Sequence, residues 1–357
     1  MRKNRRALIG ALACLVASAT LGVPHASVAE GLVSFSDCPN GSTRVLPSRI
    51  NARLDGGTDV VYESGSAVTI VRIPPRDFNP LTATDDALAE FGFPARPTNA
   101  TDVAAWSEDL GVWHVNTDAT LCEESRVSAM TSLSPDPDGV PIADVGSPAW
   151  SGYVATGATQ NAYIGIKGDF LQPAAIENSC TGSALTSWVG LGGSTLSPLT
   201  STAPRLIQAG TVVQSVTATP RAFYEVVAAN DVAGSTMQIL AGVRINPGDR
   251  IQVQISVQRT ADIAYFYVHN ATNGDTQTAT VAGVMANSYD GFTAEWMDER
   301  PWSTSLSRNL PLLGFNQVAW SNARALNTDG TWSDLGQLPL SRKVMSPQMR
   351  FWQDRTC

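Results

Sequence analysis

The sequence predicts an all-β protein, a sandwich or barrel, preceded by a smaller mixed α/β segment. Three observations carry that prediction. Beyond about residue 148 the chain is a series of short runs rich in β-branched and aromatic residues, punctuated by Gly, Pro and Asn turns. The period within them is two, since RIQVQISV places Ile251, Val253, Ile255 and Val257 on one face of a strand. IAYFYVHN follows, and HNATNGDT supplies turn residues before the next run, TQTATVAGV. Helical stretches are few here, so the strands must cover one another, as a sandwich or barrel does.

The elements follow in order. Residues 1–29 read as a secretory leader: a basic start (Arg2, Lys3, Arg5, Arg6), an apolar run from Ala7 to about Gly22, and Ser27-Val28-Ala29 as the cleavage site. Cys14 has too little apolar sequence before it for a lipoprotein anchor. No later apolar run approaches the roughly 20 residues of a membrane helix, so the expected location is extracellular, with no membrane association after cleavage. Residues 30–130 form an acidic N-terminal segment in which DVVYES and AVTIVRI read as strands and TATDDALAEFGF as a helix. Thr82 with Asp85 makes a loose capping box, and Phe93-Pro94 closes that helix. Residues 131–147, rich in Ser, Pro, Asp and Gly, read as a linker. Residues 148–345 form the sandwich, and 346–357 a C-terminal tail.

Loss of the leader leaves Cys38, Cys122, Cys180 and Cys357, an even number in an oxidising compartment, so two disulfides are expected. Of three connectivities, Cys38 with Cys122 and Cys180 with Cys357 keeps each bridge inside one proposed domain. The formal charge of −8 becomes −12 on cleavage, with 20 basic against 32 acidic side chains. Residues 30–140 hold 17 acidic and 7 basic groups, whereas 141–357 hold 15 and 13, 11 of the latter arginine. That distribution leaves no basic patch for nucleic acid.

Most hydrolase chemistries are missing their motifs. There is no HExxH zinc site, no GxSxG elbow and neither Asp-Thr-Gly nor Asp-Ser-Gly, and no metal or cofactor is expected. Only His114 and His269 remain after leader cleavage. A serine triad in the sandwich would depend on His269, beside the turn Asn270-Ala271-Thr272, where a half-exposed strand-end histidine is the simpler reading. Carboxylates and amides on strands remain. In FTAEWMDERPW, alternation puts Glu295, Met297 and Glu299 on one face and Phe292, Ala294, Trp296 and Asp298 on the other. Charges on a short strand suggest a solvated edge. Gln208 interrupts the apolar run PRLIQAGTVV, as a satisfied polar residue or an edge position would, and Glu225 alternates with Arg221 and Phe223 in RAFYEVV.

Taken together, PAWSGYV (148–154), SWVGLGG (187–193), LIQAGT (206–211), AFYEVV (222–227), INPGDRIQVQISV (245–257), HNATNGDTQT (269–278), TAEWMDE (293–299) and LGFNQVAW (313–320) are similar in content, order and spacing to the glutamic peptidase (eqolisin) family. LIQAGT and WVGLGG look more like the bacterial members, and RIPPRDFNPLTATDDALAEFGFPARP resembles the segment preceding the peptidase domain in them.

The resemblance implies a two-sheet antiparallel β-sandwich of the lectin-like or jelly-roll type and a catalytic pair, the Gln of L-x-Q-x-G and the last Glu of A-E-[WF]-x-x-E, which fall on Gln208 and Glu299. A carboxylate with a pKa near 4 to 5 can deprotonate water in acid, and the Gln NH2 can donate to an oxyanion at any pH. Trp150, Trp188 and Glu225 match family positions that line the cleft; Glu295 and Asp298 have supporting or solvent-facing roles. Two positions depart from the fungal pattern, since Gly192 and Arg221 stand where fungal members carry Asp. The expected protein is thus a secreted, monomeric acid endopeptidase acting on polypeptides. Residues 30–130 are its own pro-segment, held partly by charge and loosened between about pH 5 and 3, where carboxylates protonate. A permanent acidic domain is the other reading of that segment. Rivals for the whole are a non-catalytic sandwich binding peptides or glycans in the same cleft, and a glycosidase using Glu225 and Glu299.

Overall fold

The computed structural model describes residues 33–38, 42–64, 67–124, 145–147, 149–176, 182–194, 205–215, 217–228, 236–285, 289–303 and 308–345. The N-terminal part supplies β1 (Thr43–Arg44), β2 (Arg49–Ala52), β3 (Thr58–Ser64), β4 (Ala67–Ile73), α1 (Asp85–Glu90), α2 (Ala100–Leu110) and β5 (Leu121–Glu124). Then come β6 (Val145–Ser147), β7 (Trp150–Thr156), β8 (Tyr163–Leu171), β9 (Ala175–Ile176), β10 (Leu185–Gly192), β11 (Leu206–Val213), β12 (Arg221–Val227) and β13 (Met237–Arg244). After these follow β14 (Arg250–Gln258), β15 (Ile263–Asn270), β16 (Thr276–Ala282), β17 (Thr293–Glu299), β18 (Trp302–Ser303), β19 (Arg308–Asn309), β20 (Gly314–Phe315), β21 (Ser321–Asn327), β22 (Trp332–Asp334) and β23 (Leu340–Met345).

Two large sheets face each other. The first has ten strands in the order β1-β5-β13-β12-β11-β10-β17-β7-β23-β6, and the second nine, β2-β3-β4-β16-β15-β14-β8-β21-β22. Pairing is antiparallel except between β23 and β6. The main core lies between the sheets. Ile251, Val253, Ile255 and Val257 of β14 enter it from one side, and Val189, Leu191, Ile207, Ala209, Ala294 and Trp296 from the other. The all-β sandwich expected from the period-two runs is what forms.

The N-terminal segment is built into that sandwich. Its β5 pairs with β13, and its β4 pairs with β16, so it extends both sheets. Val60, Tyr62, Val71, Ile73, Ala119 and Leu121 belong to the main core. Its helices cover the outer face of the second sheet, where Leu88, Phe91, Phe93, Trp106 and Leu110 pack with Tyr267. The α1 cap is Thr84, whose hydroxyl accepts from Ala87 N at 3.2 Å, and not Thr82, which turns back to the Asn79 carbonyl. His269 is fully buried and not half-exposed: Nδ1 meets Thr276 Oγ1 at 2.7 Å and Nε2 meets the Asp109 carbonyl at 3.1 Å. Burial lowers its pKa to about 4.

Cys38 and Cys122 are joined, with Cα atoms 5.7 Å apart, which is ordinary disulfide geometry. Cys180, Cys357, the linker up to residue 144 and the tail 346–357 lie outside the described residues. Three arginines of the sandwich reach N-terminal carboxylates: Arg221 to Glu124 at 3.1 Å, Arg250 to Asp109 at 2.8 Å, and Arg324 to Asp102.

Candidate active site

The candidate site lies on the first sheet's other face, away from the main core. β10 and β11 are buried at all eight positions each, so both faces of these strands are covered. This explains why their sequences read as apolar runs with intrusions and not as alternation. β17 is not the edge its charges suggested, because it pairs with β10 on one side and β7 on the other.

Register arranges the residues in three rungs. One runs Trp150, Glu299, Thr186, Val212, Arg221; the middle one Gly152, Met297, Trp188, Gly210, Phe223; the third Val154, Glu295, Gly190, Gln208, Glu225. Gln208 and Glu299 therefore share a face, separated by the width of β10 and four residues along the strands. Gly190 makes room between them: a β-carbon there would lie 2.7 Å from Trp188 Cζ3, so glycine allows the indole to lie across the floor.

Trp188 and Trp150 hold Glu299. Trp150 Nε1 donates to Oε1 at 2.9 Å and Trp188 Nε1 to Oε2 at 2.8 Å, with the two rings edge to face at 5.2 Å. The carboxyl is completely buried, and that burial, reinforced by the charge of Glu225, drives its pKa well above the ordinary range despite the two indoles. Burial thus opposes ionisation of Glu299 in the full-length chain. Gln208 Nε2 donates to Glu225 Oε2 at 2.7 Å, while its Oε1 has no hydrogen-bond partner. By accepting from the NH2 end, Glu225 fixes which way the amide points.

Glu295 is fully buried in the Gln208 rung, so it is not solvent-facing. Asp298 points to the opposite face, where Ser187 Oγ donates to it at 2.6 Å. Gly192 has φ +88°, and a β-carbon would fall 2.3 Å from the Arg205 carbonyl, so an aspartate there would strain this backbone. Arg221 points along the floor to Glu124, a contact that sequence reading missed; the arginine in place of a fungal carboxylate was its only trace. Cys38, Cys122, Ala149 and Leu310 pack on the same face. Among the described residues no cluster of His, Cys, Asp or Glu could hold a metal ion, and no helix is long and apolar enough to cross a membrane.

The model of the peptidase A4 family matches residues 148–340, which include every floor residue except Cys38 and Cys122 and the N-terminal Glu124. No curated protein matches the chain. Among solved structures, it is similar to scytalido-glutamic peptidase bound to a transition-state analogue inhibitor, at 20% identity over 54% of this chain and 85% of that one, with TM-score 0.42. SCP-B, a member of the eqolisin family solved with the tripeptide Ala-Ile-His, is 18% identical over 52% of this chain and 83% of that one, with TM-score 0.40.

Proposed function

Because the chain belongs to the peptidase A4 family, the glutamic peptidases, and is therefore a hydrolase of peptide bonds, we propose that it is a secreted acid endopeptidase with Glu299 as general base and Gln208 as oxyanion donor. The observation that carries this is the shared face: a carboxyl gripped by two indole N–H groups and, on the same side of the sheet across β10, an amide oriented by Glu225. Glu299 takes a proton from water as the oxygen attacks the scissile carbonyl carbon. The oxyanion that forms accepts from the second N–H of Gln208, and the proton then passes to the leaving amine as the C–N bond breaks.

Such a base must be ionised in acid, and burial in the covered chain opposes that. Opening the face to water removes the burial that raises its pKa and leaves the two indole donors, which lower it. Full activity is therefore expected only once the floor opens to water, which fits synthesis as a precursor of low activity with an N-terminal pro-segment. The leader-like residues 1–29 support export.

Digestion of a denatured protein at pH 3.5 by wild type and by Glu299→Gln tests the reading. The variant should fold and lose all hydrolysis; equal activity rejects the assignment. Gln208→Ala should lower turnover about a hundredfold or more. A change in affinity alone would favour a non-catalytic peptide-binding sandwich.

A further inference from the structure

Arg221 lies on the rung that contains Glu299, whose next member, on β13, is Arg244. The register runs Glu299, Thr186, Val212, Arg221, so the arginine lies three strand spacings, about 14 Å, from the base on the same face. Its side chain is 9% exposed, and among the described residues its ion pair is with Glu124, from the N-terminal segment. A buried guanidinium is stable only beside an anion, so this position is built to receive a carboxylate.

The same side chain lines a cavity of about 860 Å³ with Gln214, Ile239 and Arg244. Gln214 Nε2 is buried there without a partner, a donor ready for an acceptor. Arg244 adds a second cation, paired with Asp275. The one carboxylate lining the cavity, Asp37, pairs with Arg44 at the exposed surface. The cavity's chemistry is thus that of a receptor for a negatively charged, hydrogen-bond-accepting group.

We infer that Arg221, with Gln214 and Arg244 in the cavity beside it, forms a subsite for a carboxylate side chain of the substrate, and that Glu124 fills this position until the chain is cut. The inference rests on the peptidase reading above. An extended substrate rises about 3.3 Å per residue, so the side chain concerned lies about four residues from the scissile bond. A cut soon after residue 126 would place Glu124 within a few residues of a chain end, where strands fray, and free Arg221 for substrate.

Two measurements on the full-length protein test it. In the first, acid-treated protein cleaves peptide pairs that differ only by Glu or Gln, scanned across positions on both sides of the bond at pH 4.5. One position about four residues away should favour Glu by roughly tenfold or more in kcat/KM, and the preference should fade below about pH 4 as the substrate carboxyl protonates. The ratio should collapse in Arg221→Gln combined with Glu124→Gln, a pair that leaves no buried charge unmatched. No preference at any position, or one that survives the double variant, overturns the subsite. Cleavage of neither peptide rejects the peptidase reading instead, and the second measurement then decides: calorimetric binding of the same peptides to Glu124→Gln at pH 6. Tighter binding of the Glu peptide supports the subsite, and equal affinity refutes it.

Discussion

Asp298 is adjacent to the proposed base, yet its environment gives it a different duty. It faces Ser187, and burial pushes its pKa up to about 7 against the lowering effect of that hydroxyl. For a carboxyl raised in the folded state, the unfolded chain loses its proton first. Stability present below about pH 4 is therefore lost progressively as pH rises toward 7, and no further above it. In a Glu299→Gln background, which prevents self-digestion, Asp298→Asn should match its parent in melting temperature at pH 4 and exceed it at pH 8, because the amide keeps the Ser187 bond without a charge to bury. Thermal melts across that range check this, and an offset that does not change with pH contradicts it. Glu299 is more deeply buried than Asp298 but has indole donors on both oxygens, so solvent access should lower its pKa far more effectively.

At the scale of the element, β10 leaves no room for a side chain on β11 at Gly210. A β-carbon there would lie 2.0 Å from the Ser187 carbonyl and 2.6 Å from Trp188 Cα, so the strands would have to separate beneath the indole. Gly210→Ala is expected to cost about 3 kcal/mol or more in urea unfolding, while Gly336→Ala, whose β-carbon would meet nothing within 4 Å, serves as the neutral control. A loss below about 1 kcal/mol would show that the contact is not rigid. Strands such as β14 were legible because one face enters the core. The partners of β17 were not, because its neighbours Trp188 and Tyr153 are more than 100 residues away in the chain and carboxylates on both faces imitate an edge. Gln208 and Glu299 could be named only through the resemblance, since alternation places each on a strand but not both on one floor. α2 was overlooked although Asn99 caps it by accepting from Asp102 N, and although Trp106 and Leu110 recur at helical spacing.

In the whole molecule, the N-terminal segment is held mainly by apolar contact. Its six main-core residues, at about 1.5–3 kcal/mol for each large one, outweigh the partly exposed pairs Arg250–Asp109 and Arg324–Asp102, worth about 1 kcal/mol or less each. Acid does not undo those pairs together either. Arg324 holds the Asp102 carboxyl down to about 2, so that contribution persists until pH falls toward 2, whereas burial pushes Asp109 up. The expected event at pH 3.5 is consequently a cut, not a departure. Sequencing should find a new N-terminus between about Val127 and Ala149, absent at pH 7 and absent in Glu299→Gln, with the segment still co-eluting on gel filtration. An intact, active chain at pH 3.5 rules this out.

β5, where the N-terminal segment ends at Glu124, is second from one margin of the ten-stranded sheet, and β6, which resumes at Val145, forms the opposite margin. Eight strand spacings, about 38 Å, separate them. A cut between those strands would leave a two-chain molecule with β5 and β6 near opposite margins of one sheet and Cys38–Cys122 stapling only the first chain to itself. Among the described residues no disulfide would tie one chain to the other. Maturation would then act as a ratchet: a single hydrolysis sets the molecule permanently in its working form, even if the surroundings later return to neutral pH.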